Sequence, residues 1–172
     1  EFDPALLDFA RDLAPALLGR FEDPAHGGFW FTATGHEALI GRQKPVHDDS
    51  IPSGNGVAVR ALLRLGHLLG ETRWTDAAER ALRGFMPALA QSPQGSAGLL
   101  LALHEWLAPP AQVVVRVDAA SRAPWQATAD ALRRAGYRIH LIDSGIDALP
   151  GLLGDRRPQP GGIAYVCRST TC

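Results

Sequence analysis

Residues 53–71 constrain the chain more than any other segment. Their polar positions Arg60, Arg64, His67 and Glu71 fall at i, i+4, i+7 and i+11, one narrow stripe along a helix. Val57, Val59, Leu62, Leu63, Leu65, Leu68 and Leu69 fill most of the remaining circumference. A helix that is apolar nearly all round is stable only when packed between neighbours. The segment therefore predicts a layered helical assembly, with Ser53 as the N-cap of this helix.

Three more helices are expected around it. Asp3 is a good N-cap and Pro4 suits a first helical position; Leu6, Phe9, Leu13 and Leu17 follow at helical spacing, and Gly19 marks the stop. A helix over residues 75–90 places Ala78, Leu82, Phe85 and Leu89 on one face, with Pro87 expected to bend it or end it early. Another, over residues 96–107, is apolar almost throughout until Pro109 and Pro110. Between the first two helices, Gly27-Gly28 predicts a tight turn and residues 29–32 a short strand. Residues 36–40 suggest one helical turn.

Composition changes after Pro110. Residues 112–118 form a valine-rich strand, Pro124 opens a helix that Gly136 closes, and residues 137–142 form a second strand. A short helical connection over residues 146–153 and a third strand over residues 161–167 complete a small parallel sheet with right-handed crossovers. The expected fold class is mainly α with a small α/β tail, divided into residues 1–109 and 110–172.

The chemistry-bearing residues give few patterns. The strand ending at Asp118 runs into Ala-Ala-Ser-Arg-Ala-Pro, without the glycines that let a backbone approach a phosphate, so a nucleotide site is not expected. His36-Glu37 and His104-Glu105 begin like zinc-protease motifs, but no second histidine follows at the required spacing, so no metal is expected. No Gly-x-Ser-x-Gly elbow is present. A net charge of -1 gives no reason to expect nucleic acid, and no apolar run is long enough to cross a membrane. Cys167 and Cys172 are too few for a disulfide framework. Fully extended they would lie about 16 Å apart, beyond disulfide reach unless the chain turns between them, and Cys167 reads as a buried strand residue. A reducing cytoplasm is the expected compartment, and no cofactor is implied.

The most polar cluster is Asp48, Asp49, Ser53 and Asn55, in the loop entering the apolar helix. Adjacent carboxylates serve acid/base chemistry only if one is desolvated and its pKa raised. Helix capping alone selects the same four residue types. His26 and Trp30, with Phe29 and Phe31, form either a sugar-stacking wall or a hairpin packed on the core.

Three segments together resemble one family: Gly27-Gly-Phe-Trp-Phe-Thr32, Asp48-Asp-Ser-Ile-Pro-Ser-Gly-Asn55 and Ala164-Tyr-Val-Cys-Arg-Ser-Thr-Thr-Cys172. Their order and spacing resemble the C-terminal part of the YyaL/spermatogenesis-associated-20-like proteins. The resemblance implies the last hairpins of an (α/α)6 toroid of the six-hairpin glycosidase type, then a small α/β segment. It also implies a longer protein that begins with a thioredoxin-like domain; the first residue, Glu1, is expected to mark a cut or a processed end. Where the family tends to have Asp-Gly-Ala, this chain has Asp48-Asp49-Ser50, so only Asp48 matches. No redox activity carries over, because the thioredoxin-like part is not in this sequence. The expected role is a non-catalytic C-terminal fragment. Its expected partners are the remainder of its own chain and another copy met through exposed apolar helix faces. The alternative is a carbohydrate-acting enzyme of the sugar-epimerase or glycosidase type, with a sugar bound at Asp48, Asp49, Ser53, Asn55, His26 and Trp30 and Asp48 as candidate catalyst.

Overall fold

The computed structural model of the chain describes residues 2–36, 41–169 and 171. It contains helices α1 (Pro4–Phe21), α2 (Gly54–Leu69), α3 (Thr72–Gln91), α4 (Ala97–Leu107) and α5 (Arg122–Arg134), and strands β1 (Gln112–Val117), β2 (Arg138–Asp143) and β3 (Ile163–Cys167). The fold is thus mainly helical with a small sheet. Two compact units emerge: a helical one of residues 8–66 and 72–108, and an α/β one of residues 1–7, 67–71 and 109–172.

In the helical unit, α2 forms where its apolar pattern predicts. Val59, Leu62 and Leu63 are fully buried, together with Ala77, Ala78, Ala81 and Leu82 of α3 and Leu99 and Ala102 of α4. The polar stripe is not solvated passively. Arg60 and Arg64 both reach Glu105 on α4, at 2.9 and 2.6 Å. The glutamate that resembled part of a zinc motif is therefore a tie between helices.

α3 starts three residues earlier than expected and runs through Pro87 to Gln91. Proline removes one backbone bond, but Phe85 and Leu89 on either side of it are buried. That packing holds the helix together across the break. α1 likewise continues past Gly19 and accommodates Pro15. The expected strand over residues 29–32 is reduced to one antiparallel bridge, Glu22 with Phe29. Gly27 and Gly28 both have positive φ, and the close approach of Gly27 to the Arg80 carbonyl leaves no room for a β-carbon. Of the helical turn expected over residues 36–40, all but His36 lies outside the described residues.

In the α/β unit, β1 is buried along its whole length and lies between β2 and β3. β1 and β2 are parallel, from Gln112 opposite Arg138 to Val117 opposite Asp143, joined by α5 as the crossover. Val113, Val115, Val117 and Leu141 form the core on one face, with Trp125 of α5 packed against them. α5 begins at Arg122, so Pro124 sits in its first turn, where a missing N–H costs nothing.

β3 corrects the expected all-parallel sheet: it runs antiparallel to β1, with Ile163 opposite Arg116 and Cys167 opposite Gln112. The expected helix over residues 146–153 is also absent, replaced by one 3-10 turn, Gly151–Leu153. The loop between β2 and β3 is held by Arg116. Only 2% exposed, its guanidinium donates to the carbonyls of Ile146 (2.7 Å), Arg156 (2.8 Å) and Asp143 (3.3 Å). Within residues 146–153, Pro150 has no N–H to close a helical bond to the Ile146 carbonyl, which Arg116 takes instead. The loop stays at the end of the sheet where β2 finishes, and β3 starts from that end. Cys167 is a buried strand residue at the close of β3, as expected, and it is disulfide-bonded and not a free thiol. Cys172 lies outside the described residues.

Candidate functional site

The loop before α2 is built around Asp48. Its main-chain N–H donates to the Gly95 carbonyl at 2.7 Å, which fixes the loop beside the start of α4. One carboxylate oxygen accepts the Ser53 N–H at 2.8 Å and the other accepts the Gly98 N–H at 2.7 Å. A single side chain thus satisfies free amides at the starts of both α2 and α4. These amides hold the Asp48 carboxyl below the usual carboxylate range, Ser53 first and Gly98 next, against the opposing effect of burial. A general acid needs the opposite shift. Asp48 is therefore placed as an ionised cap.

Ser53 and Asn55 are equally engaged. The Ser53 hydroxyl accepts the Gly56 N–H at 3.1 Å, closing the first turn of α2. Asn55 is 2% exposed and pairs with Phe29 as a strand would: its Oδ1 accepts the Phe29 N–H at 2.7 Å, and its Nδ2 donates to the Phe29 carbonyl at 2.9 Å. The same Nδ2 donates to the Pro45 carbonyl at 2.9 Å. Asn55 thus stands in for a strand partner at Phe29 alone; the Trp30 and Phe31 N–H groups donate to the Phe21 and Gln43 carbonyls. Asp49 is exposed, and its N–H donates to the Ile51 carbonyl.

The aromatic segment is divided. Phe29 is 4% exposed and belongs to the core, whereas Phe31 is 74% exposed. Trp30 is half-buried, and its ring lies 4.6 Å from Lys44 Nζ and 4.9 Å from the Arg42 guanidinium carbon. Cations already occupy the indole where a sugar would stack. His26 is exposed, with Nδ1 3.3 Å from Asp23 Oδ2. The structure brings Asp48, Ser53 and Asn55 together with Phe29; His26 belongs to a different constellation, centred on Asp23.

Asp23 is the residue that sequence reasoning passed over. It is 5% exposed, accepts the N–H groups of Ala25 and His26 at 3.1 Å, and pairs with Lys44 at 2.8 Å. Lys44 also donates to the Gly27 carbonyl. The Lys44 bond, with the two amides, pulls the Asp23 carboxyl down to about 2. The one available signal was that Lys44 is the sole lysine among many arginines.

Among the described residues no three His, Cys, Asp or Glu side chains gather as metal ligands, and no helix is long and apolar enough to cross a membrane. Comparison with models of known families and with curated proteins finds no match for the chain.

Proposed function

We propose that the chain is a non-catalytic scaffold, the C-terminal portion of a thioredoxin-linked α/α-toroid protein of the YyaL/spermatogenesis-associated-20-like kind. The observation that carries this reading is the use of Asp48, Ser53 and Asn55. All three hold main-chain groups, and none presents a free acid or base to a ligand. A toroid is supported by consecutive helices that keep apolar side chains exposed, Leu13 on α1, Val57 on α2 and Leu101 on α4 among them. Such faces are covered by further hairpins or by another copy in the assembly proposed here.

The carbohydrate-acting reading makes a different prediction, and one experiment separates the two. The chain is melted alone and with millimolar mono- and disaccharides and sugar phosphates. A scaffold melts at the same temperature throughout. A sugar that raises the midpoint by several degrees, and fails to do so in Asp48→Asn, would overturn the scaffold reading in favour of an enzyme.

A further inference from the structure

The α/β unit holds a cleft of about 740 Å³, within the range of about 300–1,000 Å³ usual for ligand sites. Ile139, His140 and Leu141, three consecutive residues of β2, all line it. Successive side chains of a strand point to opposite faces of the sheet. A cleft touching all three must therefore run along the edge of the strand, and β2 is an edge strand in the order β2-β1-β3.

The backbone along that edge is unpaired. The Arg138 N–H donates to the Ala111 carbonyl and the Ser144 N–H to the Val117 carbonyl, so the even-numbered residues of β2 turn toward β1. Ile139 and Leu141 turn their N–H and C=O groups the other way, into the cleft, and no partner meets them among the described residues. Leu141 is only 5% exposed, so its outward groups sit in a recess and not on open surface. Sheet edges in folded proteins are ordinarily covered, charged or bulged; this one is left open inside a cleft.

The walls indicate what fits. Leu6, Leu7 and Leu68 supply apolar surface, Arg122 and Arg133 of α5 supply positive charge, and Asp3 adds one carboxylate that accepts the Ala5 N–H. Arg122 pairs with Asp143 and Arg133 with Asp130, yet their side chains remain 32% and 41% exposed, and a guanidinium has five donors to share. The His140 imidazole has no hydrogen-bond partner among the described residues, and burial keeps it uncharged at neutral pH, with Arg138 and Arg133 reinforcing the effect. We propose that this cleft binds an extended acidic peptide segment of a partner protein, which adds to β2 as a fourth strand through the backbone of Ile139 and Leu141, its carboxylates facing Arg122 and Arg133.

The test titrates the full chain with a fluorescent, acetylated and amidated hexapeptide alternating valine and glutamate. Saturable binding is expected, with backbone amide shifts at Ile139 and Leu141. N-methylating alternate residues of the peptide should weaken binding at least tenfold, because it removes the donors that a strand needs. Arg133→Glu, an exposed change on α5, should weaken it about tenfold, and a lysine-for-glutamate peptide should not bind. The proposal is overturned by no saturable binding, by binding indifferent to N-methylation, or by equal binding of the lysine peptide. Dimerisation that protects the Ile139 and Leu141 amides and excludes the peptide would also overturn it, in favour of a second copy of the chain.

Discussion

Asn55 is the residue on which the helical unit's loop depends most directly. It satisfies both polar groups of Phe29 and the carbonyl of Pro45 from a fully buried position. Asn55→Ala leaves the Phe29 N–H buried without a partner, and a loss of about 3 kcal/mol is expected in urea unfolding. Asn55→Asp restores the acceptor but not the donor and should recover only part of that loss. These roles were half legible in the sequence. Ser53 as a cap follows from its place before an apolar run. Asp48 reaching Gly98 does not, because that bond joins residues 50 positions apart, and spacing carries no information about such pairs. Asp23 was hidden for the same reason, since Lys44 lies 21 residues away.

At the scale of elements, glycine separates local propensity from packing. Gly19 lies within α1 with open space where a β-carbon would be. Gly84 lies within α3, and a β-carbon there overlaps the His26 carbonyl. Gly19→Ala should therefore stabilise the chain by about 0.5–1 kcal/mol, the usual helical gain. Gly84→Ala should destabilise it by about 1 kcal/mol or more, because forced overlap costs about 1–3 kcal/mol and exceeds that gain. Equal effects in thermal unfolding would show that the loop at His26 does not pack on α3 as described. Helices were the most legible elements, since periodicity and caps are local. The direction of β3 was not. It depends on the loop returning to the end of the sheet where β2 finishes, and nothing in the pattern of residues 144–162 reveals that.

For the whole molecule, the titrating groups set how stability varies with pH. Burial lowers the His140 imidazole from 6.5 to about 4, and it lowers His67 as well. Between those values the unfolded chain takes up a proton that the folded chain refuses, so stability is full above pH 6.5 and falls as the pH drops toward 4. His140 alone is worth up to about 3 kcal/mol over that window. Below 3.8, protonation of Asp23 and Asp48 removes further stability, because both are held lower in the folded state. Urea midpoints measured from pH 7 to pH 4 should decline, and His140→Leu should flatten the upper part of that decline. The central claim, that the polar loop before α2 caps helices and does no chemistry, is tested most directly by following the Asp48 carboxyl carbon by NMR as pH is varied. A midpoint below 3.8, with Asp48→Asn less stable than the parent, is the predicted result. A midpoint above about 5, the range of a desolvated general acid, would contradict it and return Asp48 to the list of catalysts.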